Sequence, residues 1–432
     1  MNERVFAKCA WRLIPLVVVL YIVSFIDRVN VGFAALTMNK DLGFSPSVFG
    51  FGAGVFFVGY LAFQVPANVI IALAGARRWV FCILLTWGAV SAANAFAQGP
   101  ASFYALRFLL GVAEAGLFPG MVFYLTLWFP QNYRARFAAW LMAAVPIALI
   151  VGGPLSGVIL GMDGVLGLHG WQWLFLLEGL PACALAFAVR LLLPDGPAAA
   201  SWLTNEEKET IARRLAAGDA VQHSELWSAL HDSRVFALAL VNCGIQFGLY
   251  GATLWLPQIV QAMGFTNRET GFVVAVPYIA GMTGMILWGR SSDRRSERIW
   301  HVALPTMLAA GGFLGASLVE DNFASLVALS CAAVGILAAL GVFWSLPSMF
   351  LRGTAAAGGI GLVNTIGSLG AFVGSTLVGV LRQQTGSYAA PMAMLAFASV
   401  VSAVLVLALG IRSAAHQFWR IAIRAVEISL SP

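Results

Sequence analysis

The chain has 432 residues, 60% of them hydrophobic and only 10% charged, against about 25% charged in an ordinary soluble protein. With a mean hydropathy of +0.85 it cannot cover an aqueous surface, and apolar residues grouped in long blocks rather than alternating exclude a β-barrel. The net charge of +6 is spread over short loops without a dense cluster, which argues against nucleic acid as a partner.

The blocks predict an all-α membrane protein of twelve transmembrane helices in two six-helix halves. Each block is long enough to cross a hydrocarbon core of about 30 Å as a helix. In chain order the spans fall at roughly 13–35, 48–74, 79–98, 103–128, 137–161 and 171–193, then 236–262, 270–289, 299–319, 322–350, 356–381 and 390–411. Residues 1–193 form the first half, 194–234 a linker, and 235–432 the second half with a tail. Arg4, Lys8 and Arg12 precede the first span as in a signal peptide. The run is too long for a signal core and no small-residue cleavage site follows, so a retained helix is expected.

The linker sequence WLTNEEKETIARRL predicts a short amphipathic helix, with Thr204 and Glu207 at capping-box spacing and Arg213 and Arg214 near its end. With the N-terminus inside, nearly every Lys and Arg falls on the inner side. Lys40, Arg268 and Arg382 fall outside, and Arg28 and Arg107 lie within spans. The positive-inside rule then puts both termini and the linker in the cytoplasm of a multi-pass inner-membrane protein. Cys9, Cys82, Cys183, Cys243 and Cys331 show no metal-site or disulfide spacing, and no metal, cofactor or catalytic constellation is expected. VGGPLSGVI (151–159) and VGSTLVGVL (373–381) match 222 residues apart, in the fifth span of each half. A parallel six-helix repeat puts such a match there.

Charges at membrane depth cost several kcal/mol and usually face a bundle interior or a water path. Asp27 and Arg28 lie just past the middle of span one; Arg107 and Glu114 lie in span four. Adjacent residues diverge by about 100° around a helix, so Asp27 and Arg28 must answer to different neighbours. Arg28 is a permanent cation whose planar fork suits a carboxylate. Asp27 and Glu114 are the candidate proton carriers. A pairing network that only aligns helices is the bland alternative, and for Arg107 it is equally good. Tyr60, Gln246, Trp344 and Asn364 sit at a depth suited to contact a substrate. Glu178, beside Gly179 and Pro181 in span six, is expected to be structural.

The six-plus-six plan resembles the major facilitator superfamily. GRSSDRRSER (289–298) is similar to its loop signature at Gly289, Asp293, Arg294 and Arg298, which implies a structural or gating role there. The matching loop in the first half keeps Gly75 and Arg77 but has Ala72 where an acid would stand. FIDRVNVGFA (25–34), RFLLGVAEAGLFPG (107–120), GWQWLFLLEGLP (170–181), WLTNEEK (202–208) and LWLPQI (254–259) resemble the anion:cation symporter branch. That branch includes permeases for tartrate, phthalate, 4-hydroxyphenylacetate and sugar acids. The resemblance implies a central cavity lined at Tyr60, Trp344 and Asn364, coupling at Asp27 and Glu114, and a superfamily-wide arginine at Arg107. The expectation is a monomeric, proton-coupled importer of a small organic anion. A proton-coupled exporter and a non-transporting receptor are the rivals.

Overall fold

A computed structural model describes residues 2–218, 232–350 and 353–430; linker residues 219–231 and Arg352 lie outside them. The described residues contain twelve helices long and apolar enough to cross a membrane. Span one runs from Asn2 to Asp41, span two from Pro46 to Ala74, and span three from Ala76 to Ala93. Span four is Pro100–Glu114 continued by Leu117–Thr126, span five is Gln131–Leu160, and span six is Gly170–Leu192. In the second half, span seven is Ser233–Thr253 continued by Leu256–Ala262, span eight Asn267–Arg295, and span nine Ile299–Leu318. Span ten is Asn322–Phe343 continued by Pro347–Phe350, span eleven Gly353–Thr385, and span twelve Ala389–Leu430.

Three spans read as continuous from hydropathy are broken. Each break precedes a proline close to the start of the next segment, Pro119, Pro257 or Pro347. Proline has no N–H for the carbonyl four residues back, and its ring clashes there. The turns tighten to three-residue spacing instead, as in Trp255 N–H to Ala252 O at 3.0 Å and Leu346 N–H to Phe343 O at 2.9 Å. The break in span four follows Glu114 directly, and the break in span ten starts at Trp344.

The linker helix forms at Asn205–Gly218. Its capping box is reciprocal: Glu207 N–H donates to Thr204 Oγ1 at 3.2 Å, and Thr204 N–H donates to Glu207 Oε2 at 2.9 Å. Lys8 of span one bonds Glu207 at 2.8 Å, which holds that carboxyl below the usual range. Trp202 stacks on Trp128 with ring centroids 5.6 Å apart. The linker is thereby fixed to the end of the first half that carries the N-terminus, here called the near end.

The halves meet along two seams at the far end, span five against span eight and span eleven against span two. These contacts are backbone on backbone. A Cβ on Gly271 would stand 2.4 Å from the Gly153 carbonyl oxygen, and one on Gly379 would stand 2.4 Å from that of Pro46. The sequence match of spans five and eleven acquires a physical meaning here. Its equivalent glycines, Gly157 and Gly379, hold matching places: a Cβ on either would lie 3.1 Å from the Cα of a partner glycine, Gly271 or Gly50.

Gly271→Val should therefore hold the far end open, since overpacking such a contact costs about 1–3 kcal/mol. Spin labels at Val165 and Arg268 should report a longer distance than in the parent. An unchanged distance would show that the seam tolerates a side chain.

Candidate functional site

The interface between the halves holds a partly open cavity of about 60 Å³ bordered by spans one, two, four, five, seven, ten and eleven. Arg28, Tyr60, Gln246, Trp344 and Asn364 all line it, so one space gathers the residues singled out for substrate contact from five spans. Tyr21, Tyr250 and Ser368 line it as well and were not anticipated. Ligand pockets usually measure roughly 300–1,000 Å³, so an organic acid can enter only after the walls part.

Arg28 is 8% exposed and Glu114 fully buried. Arg28 Nη2 donates to Glu114 Oε2 at 2.7 Å and Nε to the same oxygen at 3.2 Å. Nη1 reaches across the halves to the Tyr250 hydroxyl at 3.3 Å. The guanidinium carbon lies 5.2 Å from the Tyr60 ring centroid, 5.3 Å from Phe56 and 5.7 Å from Phe25, distances at which aromatic faces attract a cation. Glu114 Oε1 has no hydrogen-bond partner among the described residues. One edge of the fork is thus committed to a carboxylate, and the other faces a hydroxyl from the opposite half.

Asp27 lies elsewhere. It is fully buried, absent from the cavity wall, and turned towards span three. Trp87 Nε1 donates to Oδ2 at 2.6 Å, Ser91 Oγ donates to Oδ1, and Asn30 Nδ2 donates to Oδ1 at 3.1 Å. The roughly 100° step between neighbours on a helix produces this division, so one face of span one carries the cavity cation and another a hydrogen-bonded acid. Arg107 is 1% exposed and lies over the Phe56 ring at 5.2 Å. Its Nε and Nη1 have no hydrogen-bond partner among the described residues, and both Asp27 and Glu114 act on it electrostatically. Arg107 is not among the residues that line the cavity.

The loop after span eight is a separate feature at the near end. Arg298 Nη2 pairs with Asp293 Oδ1 at 2.8 Å, and Nη1 donates to Ser292 Oγ at 2.7 Å. Ser296 takes a left-handed conformation with φ 50° to end the helix. Arg294 is exposed, and a Cβ on Gly289 would meet open space. The described contacts of this loop close within the second half.

Sequence reasoning missed Tyr250 because a tyrosine in a membrane span carries no mark of its own. Its neighbours GLYGATLWLP combine helix-loosening glycines with the proline that breaks span seven, which was the available signal.

A family model described as Major Facilitator Superfamily matches residues 17–375. A protein of Agrobacterium vitis named "Putative tartrate transporter" is 47% identical over 412 residues, covering 95% of this chain and 92% of its own length. A "Quinolone resistance transporter" from Acinetobacter baumannii is 41% identical over 409 residues, covering 94% of each. The crystal structure of a D-xylose-proton symporter shares the fold with a TM-score of 0.74 at 12% identity, over 92% of this chain and 97% of that one. Twelve membrane helices around a central charged cavity, with these likenesses along nearly the whole length, make the chain a member of the Major Facilitator Superfamily, a transporter and not an enzyme.

Proposed function

We propose that the chain is a proton-coupled symporter that imports a small organic anion across the cytoplasmic membrane by alternating access, with the near end in the cytoplasm. The observation that carries this reading is the Arg28–Glu114 pair at the cavity wall. The guanidinium edge that suits a substrate carboxylate already holds one, and Glu114 must release it for another to bind. A proton on Glu114 removes its charge and frees the fork. Proton and substrate therefore load together, while Tyr250, Tyr60, Gln246, Trp344 and Asn364 supply polar and aromatic contacts to the rest of the molecule.

The charge balance is explicit. One proton on Glu114 carried with one monocarboxylate moves no net charge, so a second proton, on Asp27, would make such import electrogenic. For a dicarboxylate, two protons restore neutrality. The relative named for tartrate supports an acid as substrate. The relative named for quinolone resistance supports the rival reading, export. Uptake by right-side-out vesicles, stimulated by acid outside, is the outcome expected of import; transport only out of the cytoplasmic side would establish the rival.

Two variants test the coupling. In the parent, carboxylate affinity should weaken as pH rises and Glu114 ionises against the substrate, approaching about tenfold per pH unit for one linked proton. Glu114→Gln should abolish that slope and uphill accumulation while preserving substrate exchange; a slope that survived would remove Glu114 from the coupling. Arg28→Lys keeps the charge but loses the fork. With a charge-assisted hydrogen bond worth about 1.5–3 kcal/mol, affinity measured by calorimetry should fall by about 10- to 100-fold.

A further inference from the structure

Span seven presents Gln246 and Tyr250 one helical turn apart on the same face, and both line the cavity. Span eleven presents Asn364 and Ser368 at the same spacing, and they line it too. Asn242, one turn before Gln246, ties the two spans together by donating through Nδ2 to the Val363 carbonyl at 3.0 Å. The second half thus lines the cavity with a fixed polar wall.

The buried atoms of that wall are acceptors. Gln246 Oε1 is buried and has no hydrogen-bond partner among the described residues. Ser368, 6% exposed, gives its hydroxyl hydrogen to the Asn364 backbone carbonyl at 3.0 Å, which leaves only lone pairs on Oγ. Buried polar atoms rarely go unpaired, so these acceptors call for a donor from the cargo. Charge is scarcer still. Among the described residues that line the cavity, Arg28 is the one charged side chain.

We propose that the cargo is a hydroxy monocarboxylate, with its one carboxylate on Arg28 and a hydroxyl that donates to Gln246 Oε1. An alcohol hydroxyl is neutral and carries a hydrogen, so it satisfies a buried acceptor without a counter-charge. A second carboxylate fails on both counts. Ionised, it only accepts, and it would stand against two acceptors with no cation left to pair it. An unpaired charge in such a place costs several kcal/mol. A plain aliphatic or aromatic acid fits the charge balance but leaves Gln246 Oε1 unanswered.

The inference rests on the reading of Arg28 as the carboxylate site, and calorimetry of the purified chain at pH 7 tests the two apart. Four acids of four carbons separate the demands. Threonate has hydroxyls and one carboxylate, butyrate one carboxylate alone, tartrate hydroxyls and two carboxylates, and succinate two carboxylates alone. Gluconate, hexanoate, glucarate and adipate repeat the design at six carbons. In the set that binds tighter, the hydroxy monocarboxylate should lead its plain counterpart by about tenfold and its matched dicarboxylate by at least about as much. Gln246→Leu should shrink the first ratio towards one, and Arg28→Lys should weaken every acid that binds. Tightest binding by a plain or dicarboxylic acid, no binding by any of the eight, or a ratio unmoved in Gln246→Leu would overturn the proposal. The two readings fail separately: affinities unmoved by Arg28→Lys would take the carboxylate away from Arg28, whereas a wrong ranking with Arg28 still required would remove only the hydroxyl.

Discussion

The ion pair between Arg28 and Glu114 is the constraint around which the cavity is organised. A charge left alone in a medium of low dielectric costs several kcal/mol, and Arg28 has little water to turn to. Its fork is therefore satisfied from within, by Glu114 Oε2 on one edge and the Tyr250 hydroxyl on the other, with aromatic faces around it. Tyr250 belongs to the opposite half, so the state of one arginine bears on how the halves sit together. The break in span four after Glu114 belongs to the same constraint. Irregular backbone at membrane depth survives only where it is enclosed by protein or lines a cavity.

Span one divides two polar systems that the sequence writes side by side. Arg28 faces a space between halves that must open and close, while Asp27 faces span three, inside one half. Helix geometry makes that division obligatory for adjacent residues. Arg107 bears on both systems, since both Asp27 and Glu114 act on its guanidinium.

Much of the fold was legible in the sequence because the bilayer imposes a length on every apolar run. The internal match at Gly157 and Gly379 was legible too, and its meaning as twin seams between halves came from the structure. The breaks in spans four, seven and ten were harder. Pro119, Pro257 and Pro347 stand in plain sight, but Pro15, Pro146 and Pro277 lie inside helices that continue, so proline alone does not mark a break. At the site, the buried charges announced themselves by cost. Their partners did not: nothing in sequence order joins Asp27 to Trp87 and Ser91, or Arg28 to Tyr250, because those pairings are made by helix packing across 60 to 222 residues.

On the proposed coupling, tight transport follows from charge alone. With Glu114 ionised and no substrate, Arg28 is neutralised; with Glu114 protonated and a carboxylate bound, it is neutralised again. The two mis-loaded states are different. A proton without substrate leaves a buried cation unpaired, and substrate without a proton crowds two carboxylates against one guanidinium. Breaking a buried pair costs about 3–5 kcal/mol, which lowers the population of a mis-loaded, closed carrier by about two to three and a half orders of magnitude. Both correct states can draw the seams and cavity shut and cross, and both incorrect ones are held open to water until they correct themselves. Coupling then needs no dedicated lock: it follows from placing one arginine where two acids must take turns.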